Sequence, residues 1–259
     1  SISMSIKIKQ ALITHPLTRP AIRAVNGKQY KLRAVRAIIA HWTANTTKGA
    51  NAMANRNYFN NGSPGIGGTF RAASAHYCVD SNEIVQCLPD NEVGFHIGGA
   101  RYKNDGRRIM AGYKGLTPNY FAIGFEMCVN VDGEWDKTYQ SSVNLAAHLL
   151  FKHRLTINDL LRHYDITGKD CPKMMIEEKA WQKFKGAVSS GLAILSVSCK
   201  RATVATTDLN VRSGPGTQNP VVRVVAPGDL LVVYPGGENG WVCIGEGEFV
   251  NSKYLTYAM

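Results

Sequence analysis

The sequence predicts an α/β domain followed by a small β-barrel. Three observations carry this. Short apolar strands alternate with amphipathic helices through residues 31–189. The composition then shifts after Ser189. From Val204 onward short β-rich runs recur between turns of Gly, Pro and Asn, as in a small all-β module.

In chain order, residues 1–30 give mixed signals and are expected to form an N-terminal extension laid over the domain. Arg36-Ala37-Ile38-Ile39-Ala40-His41-Trp42 reads as a buried strand ending at a polar turn. A helix is expected over 49–60, stopped by Asn61-Gly62-Ser63-Pro64-Gly65. Ala75 to Val79 and Ile84 to Leu88 read as a hairpin about Asp80-Ser81-Asn82-Glu83. Residues 96–119 are rich in Gly and charge and read as loop, and Phe121 to Val129 as an apolar strand broken by Glu126. The clearest helix covers 139–154, with Val143, Ala147 and Leu150 on one face. A second is expected over 173–189, with Ile176, Ala180, Phe184 and Val188 as its stripe. A linker at 190–203 then leads into the barrel at 204–259, with runs at 209–212, 221–225, 230–234, 241–244 and 249–250.

Lys and Arg number 30 against 19 Asp and Glu, a formal charge of +11. Such an excess favours an anionic partner, whether nucleic acid, an acidic membrane surface or a cell-wall polymer. The basic residues are dispersed and no nucleic-acid motif is present, so a general electrostatic preference is the economical reading and no nucleic acid is expected. No apolar run reaches the length of a membrane span. The first residues lack the apolar core of a signal peptide; processing could have removed one, so export stays open. Six cysteines include no CxxC pair. Cys78, Cys87 and Cys128 lie in apolar runs, where Cys acts as a small hydrophobe, although Cys78 and Cys87 could face each other across the hairpin.

Chemistry concentrates in Leu161-Arg162-His163-Tyr164-Asp165-Ile166-Thr167-Gly168-Lys169-Asp170-Cys171-Pro172. His163 and Cys171, eight positions apart, are good zinc ligands, and Lys169 could steady a developing anion. A catalytic zinc needs three protein ligands and an open position. His41 fits as the third: four apolar residues lead into it and Thr43-Ala44-Asn45 follow as a polar exit. Alone it would read as a core histidine capping a strand; with the 163–171 segment the ligand reading gains. Glu126 is the candidate base, because a carboxylate inside Ile123-Gly124-Phe125-Glu126-Met127-Cys128-Val129 is costly unless it faces a cleft. The competing reading is a Glu on a solvated strand face. His15 and His148 read as structural or solvated, and His153 as a residue at the helix end, where the dipole favours a cation. His76 and His96 stand evenly between substrate contact and a structural role.

These residues resemble the zinc-dependent N-acetylmuramoyl-L-alanine amidases of the type 2 family, over roughly residues 30–185. The matching segments are Ile38 to Asn45, Ser74-Ala75-His76-Tyr77, Gly94-Phe95-His96-Ile97-Gly98, Ile123-Gly124-Phe125-Glu126 and His163 through Pro172. The resemblance implies a central mixed sheet flanked by helices, with zinc on His41, His163 and Cys171 and a catalytic Lys169. Some members carry a catalytic tyrosine where Ala75 stands; those with Ala typically carry a glutamate on the later strand, matched by Glu126. Recognition-only members lose the Cys ligand, which this chain keeps. The C-terminal part resembles a bacterial SH3-like module through Leu209 to Thr217, Gly240-Trp241-Val242 and Tyr254-Leu255. Such modules often hold cell-wall peptide.

The resulting expectation is a catalytic domain over 31–189 that hydrolyses peptidoglycan at the amide between N-acetylmuramic acid and L-alanine. Zinc would be its cofactor, Glu126 and Lys169 its catalytic residues, and Asn45, His76 and His96 its substrate contacts. The rivals are a non-catalytic peptidoglycan sensor and a zinc peptidase acting on the stem peptide. The partner expected is an anionic cell wall. The protein is expected to be a monomer, secreted, wall-associated, or encoded by a phage and released to the host wall.

Overall fold

The fold is taken from a computed structural model that describes residues 5–65, 67 and 71–258. A six-stranded sheet forms its first unit, in the order β1-β4-β3-β5-β2-β6. These strands are β1 (Lys9–Gln10), β2 (Ala37–Trp42), β3 (Tyr77–Val79), β4 (Ile84–Gln86), β5 (Ala122–Met127) and β6 (Leu160–Arg162). Strands β3 and β4 form the expected antiparallel hairpin, while β3, β5, β2 and β6 run parallel, so the sheet is mixed.

Alternation sorts the two faces of the sheet. Ile38 and Ala40 of β2 and Ile123, Phe125 and Met127 of β5 face the long helices α3 (Trp135–Lys152) and α5 (Glu178–Ser198), with which they share one core. Ala37 and Ile39 face the other way, toward Phe121, Ile109, Ile97 and Ile166. The first helix, α1 (Ala52–Asn60), is N-capped by the Asn51 side chain, which accepts from the Ala54 main-chain N–H at 3.0 Å.

Three expectations change. The 190–203 linker is not a separate segment: α5 continues to Ser198 because Leu195 extends the buried stripe of Trp181, Phe184 and Val188, and β7 (Lys200–Val204) begins two residues later. Residues 1–30 are more than an overlay where they are described: β1 joins the sheet beside β4, and Ile13 is fully buried. The 96–119 loop contains a short helix, α2 (Asn104–Ile109). A central glycine masks it in the sequence; a Cβ on Gly106 would lie 3.0 Å from Ile166, so the glycine permits close packing on α4 (His163–Thr167).

The second unit is a seven-stranded antiparallel sheet in the order β13-β7-β10-β11-β12-β8-β9. Its other strands are β8 (Leu209–Arg212), β9 (Val221–Val225), β10 (Leu230–Glu238), β11 (Trp241–Gly245), β12 (Glu248–Asn251) and β13 (Leu255–Tyr257). Val204, Leu209, Val211, Val225, Leu231, Val233, Ile244 and Val250 fill its interior. Its outer side packs against the first unit: Val232, Tyr234 and Cys243 belong to the core of α3 and α5.

Candidate active site

The site forms at the carboxyl ends of the parallel strands β2, β5 and β6, where open α/β sheets place ligands. In the register, His41 lies opposite Glu126 and Ala40 opposite Arg162. His41 and Glu126 therefore share one face on neighbouring strands. His163 follows Arg162 at once and opens α4. Gly168, with φ of 84°, ends that helix in the left-handed region that favours glycine and turns the chain back. Cys171 is then held by main-chain bonds: its O accepts from Tyr164 N at 3.0 Å and its N donates to Lys169 O at 2.7 Å. Arg162 braces the turn. It is almost wholly buried, pairs with both oxygens of Asp165 and donates to the carbonyls of Met175 and Ile176. Sequence reasoning gave Arg162 no role, although an Arg and an Asp three residues apart at a helix start were a usable signal.

The fold thus assembles His41, His163 and Cys171, whose ligand atoms all lie within 4.8 Å of one another. All three side chains are buried. His41 Nδ1 stands 3.5 Å from Cys171 Sγ, close to the separation of about 3.6 Å between N and S donors on a tetrahedral zinc. Burial, followed by neighbouring histidines and Lys169, holds the His41 imidazole well below the ordinary histidine range. Burial, then Lys169, lowers His163 to about 4, against a main-chain hydrogen bond to Gly98. Both rings are therefore neutral at pH 7, as metal ligation requires. Burial and then Glu126 push the Cys171 thiol up to about 12, with a main-chain hydrogen bond from Trp42 acting the other way. A divalent ion would be needed to draw out the thiolate.

Among the described residues, two buried side-chain polar atoms lack a hydrogen-bond partner: His163 Nε2 and Glu126 Oε2. Buried polar atoms are seldom orphaned, and both of these belong to the candidate site. The donor set and its orphaned nitrogen fit a metal ion. Burial pushes the Glu126 carboxyl up to about 8, while Lys169 pulls it down. Lys169 itself is exposed. It lines an open groove of about 670 Å³ with Gly98, Gly99, Ala100, Arg101, His163, Thr167 and Gly168.

Of the three expected substrate contacts, Asn45 is exposed just after β2 and does not line this groove, its side chain accepting from Thr47 N at 3.1 Å. His76 and His96 do not reach the groove as free groups. His76 is fully buried, with Nε2 2.7 Å from Glu92 O and Nδ1 accepting from Gly124 N at 3.1 Å. His96 is also buried, with Nδ1 2.9 Å from His41 Nε2 and Nε2 3.4 Å from Ala122 O. The register sets His76 on the sheet face of Gly124 and Glu126, and the His76 ring packs edge-on to that of His96, which lies on the following loop.

Comparison with known proteins gives a consistent picture. The family described as N-acetylmuramoyl-L-alanine amidase matches residues 31–174, more than half the chain, and the bacterial SH3 domain family matches residues 207–256. A probable N-acetylmuramoyl-L-alanine amidase of Bacillus licheniformis is 34% identical over 217 residues, covering 79% of this chain and 57% of that protein. The N-acetylmuramoyl-L-alanine amidase BlyA of Bacillus subtilis is 32% identical over 209 residues, covering 79% and 52%. The chain thus spans about half the length of these curated relatives. Among solved structures, the catalytic domain of XlyA superposes with a TM-score of 0.54 at 28% identity, covering 71% of this chain and 99% of that one. A mutant endolysin from Bacillus subtilis gives 0.55 at 29% identity, with the same coverage.

Proposed function

Since this chain belongs to the N-acetylmuramoyl-L-alanine amidase family and ends in a bacterial SH3 domain, we propose that it is a zinc-dependent peptidoglycan hydrolase. Its cut falls at the amide between the lactyl group of N-acetylmuramic acid and L-alanine. One observation carries this reading: a buried His-His-Cys triad stands beside half-buried Glu126, whose Oε2 is buried without a partner, at the ends of adjacent parallel strands. A sensor that only bound muropeptide would need neither the thiol ligand nor that carboxylate.

The thiolate and two imidazoles favour zinc among common divalent ions. Zinc, when bound, supplies Lewis-acid polarisation of the carbonyl and a water of lowered pKa. The protein's own groups do the rest. His41 and His163 present neutral nitrogens beside the Cys171 sulfur. Glu126, whose carboxyl a bound cation would hold ionised, takes a proton from the attacking water on its shielded Oε2 and passes it to the departing nitrogen, leaving a lactyl carboxylate and a free alanine amine. Lys169, at the groove wall, places its charge where the oxyanion develops. Asn45, exposed just after β2, is the proposed substrate contact. For His76 and His96, burial and hydrogen bonds within the protein support a structural role instead.

The SH3 domain is proposed to hold cell-wall peptide, and the charge of +11 favours an anionic wall. The place of action is therefore the cell wall, reached by secretion or by release from a phage-infected host. No helix among the described residues is long and apolar enough to cross a membrane. The test is digestion of purified walls, with assay of new alanine amino termini and new reducing ends. New amino termini on alanine are expected. Reducing ends alone would mean a glycosidase, peptide fragments with alanine still joined to muramic acid would mean a peptidase, and intact walls with bound protein would mean a sensor.

A further inference from the structure

His96 and Gly98 lie on one loop, and each touches a different histidine of the triad. His163 is hydrogen-bonded to the main chain of Gly98, and its Nε2 is the orphaned buried nitrogen. A carbonyl can only accept, so His163 Nδ1 carries the proton and Nε2 keeps its lone pair for the metal. The same logic runs through His96. Its Nε2 faces Ala122 O at 3.4 Å, so that nitrogen holds the proton. Its Nδ1 must then accept, and the atom before it, at 2.9 Å, is His41 Nε2. His41 is thereby set with the proton on Nε2 and the lone pair on Nδ1, the nitrogen 3.5 Å from Cys171 Sγ. The reverse arrangement would leave the His96 lone pair facing a carbonyl oxygen.

The surroundings hold His96 in this pose. Asn119, buried, accepts from the main-chain N–H groups of His96 and Ile97 at 3.3 and 2.9 Å and donates to Ile97 O at 3.3 Å. The ring lies over Gly124 of β5, where an added Cβ would stand 2.4 Å from His96 Nδ1. Only glycine leaves room for that ring. The Gly124 N–H in turn bonds to His76 Nδ1, which fixes the wall behind.

We propose that His96 is a positioning residue of the metal centre: seated in the cradle of Gly124, it sets the tautomer and ring orientation of His41 and so governs the affinity of the triad for zinc. The proposal rests on the metal-centre reading above. Partners that orient ligating histidines typically contribute about 10- to 100-fold in metal affinity.

The test uses the full chain with two variants. His96→Phe keeps a ring and removes the acceptor; His96→Asn retains an acceptor near the place of Nδ1. Zinc alone is titrated against a chelating indicator, and imidazole nitrogen shifts of His41 are read by NMR on metal-free protein. His96→Phe is expected to weaken zinc by about 10- to 100-fold, with unfolding still cooperative and the His41 signals moved toward a mixture of tautomers. His96→Asn should restore most of the affinity and the single tautomer. Wild-type affinity and an unchanged His41 tautomer in His96→Phe would overturn the proposal. So would equal losses in the two variants, which would make His96 mere packing. A wild-type chain that bound no zinc would sink the metal-centre reading instead, while the metal-free shifts of His41 would still decide what His96 does.

Discussion

Glu126→Gln separates two consequences of one buried carboxyl. The substitution preserves shape and removes the proton acceptor. In the metal-free protein, burial raises the Glu126 carboxyl from 4.5 to about 8. The unfolded chain releases that proton near 4.5, whereas the folded chain holds it until about 8. Below 4.5 both states are protonated and nothing is lost. As pH climbs from 4.5 to 8 the unfolded state gains by ionising, so the folded protein loses stability, and above 8 the loss is constant. The gap sets a ceiling of about 5 kcal/mol. Glutamine has no such titration. In chelator-treated protein the stability of Glu126→Gln relative to wild type should therefore rise between pH 4 and pH 8 by up to that ceiling. Comparing the two pH values cancels the cost of burying the amide. Urea unfolding at each pH gives the four free energies required. The same variant, loaded with zinc, should lose about 10²- to 10⁴-fold in wall hydrolysis, the usual contribution of a general base. A relative stability independent of pH would refute the burial argument, and full hydrolytic activity would refute the assignment of Glu126 as base.

Cys171→Ser replaces the soft donor of the triad, and zinc content after dialysis should fall sharply, read by elemental analysis alongside loss of wall hydrolysis; retained zinc would place the metal elsewhere. Lys169→Met should keep zinc and fold, because the side chain is exposed, yet lower turnover by about 10²- to 10³-fold if its charge meets the oxyanion; kcat and zinc content measured together decide this. Tyr234→Phe removes the hydroxyl 2.7 Å from His148 Nδ1 in the contact between the two units. One buried group is left unpaired, so unfolding free energy should drop by about 1–3 kcal/mol with hydrolysis unaffected; an unchanged urea midpoint would show that the bond contributes nothing.

The parts of the site that are legible in sequence are those whose chemistry announces itself against the local pattern. Glu126 interrupts an apolar strand, and His163, Lys169 and Cys171 fall within nine residues. His41 needed both its strand and the later segment. What stayed hidden depends on distant geometry. His96 meets His41 across 55 positions of sequence and Ala122 across 26, and no local pattern tells a ring that faces a groove from one that faces a ligand. Gly124 looked like an ordinary strand residue; its role exists only because a neighbouring loop lays a ring on it. Helix α2 was missed because its central glycine lowers local propensity while tertiary packing on Ile166 favours it. The continuation of α5 was missed for the opposite reason. The composition shifts after Ser189, yet Leu195 extends the buried stripe and the helix persists.

That continuation alters how the C-terminal domain can act. A flexible linker would let the domain search the wall around the metal centre, with an effective concentration set by linker length. Here no free linker separates them. Helix α5 leads into β7 with one residue between, and the units share a core through Val232, Tyr234 and Cys243. Arg201, on β7, donates to Phe151 O at 2.5 Å and lies over the Phe151 ring, so the first strand of the second unit is anchored on α3. Residues from the start of the chain close the same junction: Glu246 N donates to Ile6 O at 3.0 Å. If the SH3 domain holds wall peptide, as proposed above, the shared core fixes that domain relative to the unit that carries His41, His163 and Cys171, in place of a tethered search.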